Sequence, residues 1–164
     1  MCGRIYEIVE SGGLRFRIRG LCPEDKEQLI RFYESLSEET IYTRFFTIVR
    51  YFDPYVEKMI STICSLVIVA VEEGSGRIVG VAEAYIDDRG IAEAGIVILE
   101  KYQGRGLGSK LARHLISVLK EFGAKKLYGY VLSDNSRALS LAKKLGAKIV
   151  REAPGIIRVE IAMD

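Results

Sequence analysis

The run EKYQGRGLGSKL, residues 100–111, sets Gly104, Gly106 and Gly108 at alternate positions, with Arg105 and Leu107 between them and Ser109 and Lys110 following. Glycine lets a backbone turn tightly and lets a ligand approach the main chain. Spacing tests two known phosphate loops. The nucleotide-triphosphatase pattern G-x-x-x-x-G-K-S/T fails, because Ser109 intervenes between Gly108 and Lys110. The dinucleotide pattern G-x-G-x-x-G fails too, because its last glycine, counted from Gly104, falls on Ser109. What remains is a glycine loop that opens a helix. From Leu107 the apolar positions Leu111, Leu115, Val118, Leu119 and Phe122 form a stripe, while Lys110, Arg113, Ser117 and Lys120 fill the other face. The free amides and positive dipole end of such a helix suit an anion, phosphate above all. An ordinary glycine-rich strand-to-helix turn is the plain alternative.

Two carboxylates lie upstream on strand-like runs. In IAEAGIVIL, alternation puts Glu93 on one face with Gly95, Val97 and Leu99, opposite Ala92, Ala94, Ile96 and Ile98. Glu83 sits in GVAEAYI on the preceding run. If DDRG closes a hairpin with Ile86 opposite Ile91, Glu83 pairs with Ala94 and points away from the face of Glu93. A one-residue bulge reverses that.

These residues need a scaffold, and 164 residues suffice for one domain with a real core. A net charge of +2 and a pI near 8.4 are close to balance, so neither nucleic acid nor a membrane surface is expected as partner. No run of about 18 apolar residues occurs, and the N-terminus carries Glu7 and Glu10 without an apolar stretch of secretory length. Cys2, Cys22 and Cys64 are odd in number and lack C-x-x-C spacing, so the reading is no disulfide framework, no metal site and a reducing cytoplasm. One Asn and two Gln among abundant Ile, Val, Lys, Arg and Glu is a bias that can accompany high growth temperature.

Arg15, Arg17 and Arg19 alternate with Leu14, Phe16 and Ile18, a strand with one wet face; residues 1–13 before it read as an N-terminal extension. CPEDKEQLIRFYESLS comes next as a helix, with Pro23 at its first position and Leu29, Ile30, Tyr33 and Leu36 on one stripe. The segment 38–63 is aromatic-rich and broken at Asp53-Pro54, giving two short helices with a bend. Strands at 65–72, 77–86 and 91–99 make an antiparallel meander. Then come the glycine loop and its helix, a strand at 126–132, a helix at 136–145, and strand segments around Ile149 and at 157–162. The result is an α/β domain with a mixed, mostly antiparallel sheet flanked by helices.

This order, with these residues, resembles the GNAT family of acyl-CoA-dependent N-acyltransferases. The family's coenzyme motif, Q/R-x-x-G-x-G/A, is met by Gln103, Gly106 and Gly108, and a second element by Asn135, Ala138, Leu145 and Gly146. The likeness covers residues 14–164, and the segment IRGLCPEDKEQLIRFYESLSEETIYTRFF is similar to the Pat-type protein lysine acetyltransferases. It implies a GNAT-like sheet splayed between the fourth and fifth strands, counted from the arginine strand. It implies acetyl-CoA as co-substrate, its pyrophosphate cradled by the amides of Gly104, Arg105, Gly106, Leu107, Gly108 and Ser109, with Arg105 and Lys110 as charge partners. The strand Ile96, Val97 and Ile98 would pair with the pantetheine arm, and Asn135 would contact that arm or cap its helix.

A lysine amine, with pKa about 10.4, must lose a proton before it attacks. The family often places a Glu on the fourth strand, which implies Glu93 as general base, with Glu83 as the rival. The family's Tyr acid is replaced by Ala142, leaving Tyr128 and Tyr130 as substitutes. The implied activity is acetylation of lysine in a basic protein substrate, attracted by Glu34, Glu38 and Glu39. N-terminal or small-amine acetylation, and a non-catalytic acyl-CoA sensor, stay open; so does the oligomeric state.

Overall fold

The computed structural model describes residues 1–163. Its elements are β1 (Ile5–Ser11), β2 (Leu14–Gly20), a short 3-10 turn, α1 (Lys26–Glu34), α2 (Glu38–Phe45), α3 (Asp53–Ser61), β3 (Ser65–Glu72), β4 (Arg77–Ile86), β5 (Ile91–Ile98), α4 (Leu107–Glu121), β6 (Lys126–Leu132), α5 (Ser136–Lys144), β7 (Lys148–Ala153) and β8 (Ile156–Ala162). The strands form one sheet in the order β1-β2-β3-β4-β5-β6-β8-β7. All neighbours are antiparallel except β5 and β6. Helix α4 packs against β3, β4 and β5, while α1 and α3 pack against β4 and β3 and α2 lies against β5 and β6.

Local chemistry accounts for these elements. In β3 every residue from Leu66 to Val71 is buried, because helices cover the sheet on both sides and a continuous Leu-Val-Ile-Val-Ala-Val run is what such a strand needs. Leu107, Leu111, Leu115, Val118 and Leu119 of α4 are all buried, as their spacing requires. The helix begins after Gly106, at φ 83°, and stops before Gly123, at φ 82°. Both are backbone states that only glycine adopts at little cost. Pro54 opens α3 instead of breaking a helix; the break is the segment 46–52, entered through Phe46 in a left-handed conformation.

Three expectations need correction. Residues 5–11 are not a bare extension: they pair with β2 as the outer strand of a hairpin whose turn residues, Gly12 and Gly13, both have positive φ. The cysteines do pair, Cys2 with Cys22, with Cα atoms 4.7 Å apart. Ile5 lies opposite Arg19, and carrying that register outward brings residue 2 opposite residue 22. The hairpin therefore supplies the bridge that cysteine spacing alone conceals, and Cys64 stays free and exposed. The third correction is the β4–β5 register. Ile86 faces Ala92 rather than Ile91, so Glu83 lies opposite Gly95 and on the same face as Glu93.

Converting Cys2 and Cys22 to serine is expected to lower stability by roughly 2–4 kcal/mol, since the bridge restrains the unfolded chain. Turnover should stay within a few-fold, since direct acyl transfer needs no cysteine. A thermal melt together with an activity assay checks both; a large loss of turnover in the folded variant would contradict the second.

Candidate active site

Strands β5 and β6 pair only from Ile91↔Lys126 to Glu93↔Tyr128, after which they part. This is the expected splay, falling between β5 and β6 once β1 is counted. Gly129 stands at its root, where a Cβ would lie 3.0 Å from the Ala94 carbonyl oxygen, so a larger residue would push the strands apart earlier. Along the open part, β5 remains bound to β4 on its other edge, through Ile96, Val97 and Ile98 opposite Ala82, Val81 and Gly80. The Leu99 amide donates to Val79 O at 2.9 Å, so backbone alternation turns the polar groups of Ile96 and Ile98 toward the gap. Gln103 Nε2 caps the Ile98 carbonyl at 2.9 Å, and Gln103 Oε1 accepts from Arg137 Nη1 at 2.6 Å.

The glycine loop lies just beyond. Gly104 and Gly106 have φ of 78° and 83°, and a Cβ on either would meet nothing within 4 Å. Gly108 lies in the first turn of α4. The amides of Leu107, Gly108 and Ser109, in the first turn of α4, have no acceptor within the helix. The first backbone bond of the helix runs from the Lys110 amide to Gly106 O at 3.2 Å. The Arg105 and Lys110 side chains turn to the N-terminal hairpin, to Ser11 O at 3.2 Å and to Glu7 at 2.6 Å. Asn135 caps α5, its Oδ1 accepting from the Ala138 amide at 3.1 Å.

Glu93 sits at the last paired position before the strands part, exposed, with the Tyr128 hydroxyl donating to it at 3.2 Å. Burial first, and the Glu93 charge second, raise the Tyr128 pKa, so the phenol stays a donor. Tyr85, Glu93, Tyr128 and Arg158 line one cleft, with Asp87 and Arg89 at its rim. The Arg158 guanidinium lies 4.0 Å from the Tyr128 ring centroid and is held by Glu160 at 3.1 Å. Tyr130 is more exposed and accepts from Arg158 at 3.1 Å. Ala142 is buried on α5 and offers no acid group. Of the acidic residues expected to meet a basic partner, Glu38 is already paired with Arg50, while Glu34 and Glu39 are exposed.

Glu83 plays a different part. It is 2 % exposed and bonded to Arg44 of α2 and the Tyr55 hydroxyl of α3, with Tyr85 at 3.5 Å. Arg44 lies flat over Gly95, where any Cβ would fall within its guanidinium. Burial, reinforced by the Glu83 charge, pushes the Tyr55 hydroxyl far above its ordinary range and that of Tyr85 up to about 12. Sequence reasoning missed Arg44, Tyr55 and Tyr85, because their meeting depends on tertiary packing and no local spacing announces it. Glu83→Gln would leave Arg44 buried without its counter-charge, giving an expected destabilisation of roughly 3 kcal/mol. Urea unfolding measures it; an unchanged midpoint would show that the pair does not hold α2 on the sheet.

Known proteins share the fold. Residues 29–147 match the Acetyltransferase (GNAT) family. Acetyltransferase Pat of Mycolicibacterium smegmatis is 28% identical over 150 residues, which is 89% of this chain but only 45% of that protein. The chain thus spans less than half the length of that relative. An acetyltransferase of Pseudomonas aeruginosa is 31% identical over 140 residues, 82% of this chain and 75% of that protein. The GNAT domain of S. lividans PAT superposes with a TM-score of 0.84 at 23% identity, covering 98% of this chain and 96% of that one.

Proposed function

The chain belongs to the GNAT acetyltransferase family, and from that premise we propose that it transfers acetyl from acetyl-CoA to a lysine side chain of another protein, by direct attack in a ternary complex. The observation that carries this reading is Glu93 at the point where β5 and β6 part. The residues fit the co-substrate. The amides of residues 104–109 take the pyrophosphate, and the backbone of Ile96 and Ile98 takes the pantetheine arm. A backbone amide in this stretch holds the thioester oxygen, and because charge develops there during attack, a fixed donor favours the transition state over the substrate.

Glu93 accepts the proton of the incoming ammonium, directly or through one water, and Tyr128 holds the carboxylate facing the cleft. The amine nitrogen then attacks the thioester carbon, the bond to sulfur breaks, and the second nitrogen proton passes to the departing thiolate or to water. The departing thiolate, with a pKa of about 8.5, needs little protonation, so the buried Ala142 at the usual acid position is tolerable. Asn135 serves α5 as cap through the Ala138 amide, and contact with the pantetheine arm is its second role in this reading.

Lysine as acceptor rests on the likeness to Pat; an N-terminal or small amine is the second reading. A cytoplasmic site is part of the proposal. Among the described residues no helix is long and apolar enough to cross a membrane. The disulfide is compatible with a cytoplasm in hot-growing cells, whose intracellular proteins retain such bonds. Incubation with labelled acetyl-CoA and a cell extract, and then mapping of the label, tests the acceptor. Label on lysine Nε atoms supports the reading, and label confined to α-amines or small amines overturns it.

A further inference from the structure

Arg105 lies within the glycine loop and Lys110 just after it, and the N-terminal hairpin already engages both. Arg105 Nη1 donates to Ser11 O at 3.2 Å across Gly12, where a Cβ would come within 2.7 Å of that nitrogen. Lys110 Nζ lies 2.6 Å from Glu7 Oε2, while Glu7 Oε1 faces His114 Nε2 at 2.9 Å. Tyr6 packs against the His114 ring with centroids 5.6 Å apart, and Arg4 reaches Glu121 at 2.9 Å, so the contact runs along α4 from its first turn to its last. The Lys110 hydrogen bond, opposed by burial and helped by His114, holds the Glu7 carboxyl below its usual range.

We propose that this hairpin is part of the coenzyme site, with Glu7 as the residue that limits coenzyme affinity by competing with a coenzyme phosphate for Lys110. The proposal rests on the reading that the amides of residues 104–109 hold the pyrophosphate. A lysine ammonium is one compact charge with three donors. A phosphate arriving at the first turn of α4 meets that charge already neutralised, with a carboxylate of its own sign beside it. A merely structural Glu7 would act the other way, by holding Lys110 toward the ligand, so the sign of the effect decides between the two.

The test is calorimetric titration of CoA, and of pantetheine as a probe without phosphate, into the full chain and its variants. Glu7→Gln is expected to tighten CoA roughly 3- to 10-fold, the size of one partly screened charge, and to leave pantetheine unchanged. Glu7→Asp, which draws the carboxylate back by one methylene, should give a smaller tightening and serves if the first variant folds poorly. Lys110→Gln should weaken CoA more in the Glu7→Gln background than alone, a coupling that a double-mutant cycle isolates. Unchanged or weaker CoA binding in a folded Glu7 variant, or an equal change for pantetheine, overturns the proposal. Gly106→Asp separates the two levels: if it leaves CoA bound, the site reading fails; if it abolishes CoA binding while Glu7→Gln does not tighten it, only the hairpin proposal fails.

Discussion

Glu93→Gln is expected to lower turnover near neutral pH by about 100- to 10,000-fold, the range of a positioned general base, with acetyl-CoA affinity nearly intact. Glutamine keeps the shape of the side chain and its contact with the Tyr128 hydroxyl, 3.2 Å away in the parent, and loses only basicity. The loss should shrink as pH rises toward the lysine pKa of about 10.4, where free amine no longer has to be generated by the protein. Glu83→Gln is a telling comparison. It shares a face with Glu93, yet it is buried under Arg44 and Tyr55, so its replacement should show first as lost stability. If Glu83→Gln cripples turnover in protein that remains folded while Glu93→Gln is mild, the base has been assigned to the wrong carboxylate.

Gly106→Asp is expected to abolish CoA binding in a protein that still folds. Gly106 has φ 83°, and a Cβ there meets no neighbour within 4 Å, so nothing in the fold obstructs a side chain. Aspartate tolerates left-handed backbone better than most residues, which keeps the strain small. Its carboxylate would stand at the mouth of the amide cradle, facing the pyrophosphate with a charge of the same sign. Calorimetry reads the result, with circular dichroism as the check on folding. An unchanged CoA affinity would remove the cradle from the site.

Much of the fold is legible in the sequence wherever a local pattern is sufficient. The expected spans of β3, β4 and β6 coincide with the observed ones, because each is an apolar run bounded by turn residues. The glycine loop and the α4 stripe are equally local. The β4–β5 register is not. Asp87 Oδ1 accepts from the Arg89 and Ile91 amides at 2.9 and 2.8 Å, with Gly90 at φ 79°, so the loop takes one residue more than DDRG implies. In a strand, one residue turns a side chain to the opposite face, and that step places Glu83 beside Gly95 and under Arg44. The hairpin β1–β2 is within reach of sequence, since Gly12-Gly13 is a favoured two-residue turn, but Ile5–Ser11 lacks the clean alternation that marks a strand. The Cys2–Cys22 bridge and the Glu7–Lys110 contact both depend on that hairpin; they join residues far apart in the chain, and only the assembled sheet brings them together.

Direct passage of acetyl from coenzyme to amine at Glu93 is the central claim, and the most direct measurement is a quench-flow experiment with mass spectrometry, with and without a lysine acceptor peptide. Direct transfer predicts that acetyl-CoA alone releases no CoA and leaves the protein mass unchanged. With the peptide, CoA and Nε-acetyl-lysine should appear together in equal amounts. An acetyl group found on the protein itself, on Cys64 or any other side chain, in a burst of CoA release that precedes addition of the peptide, would contradict it.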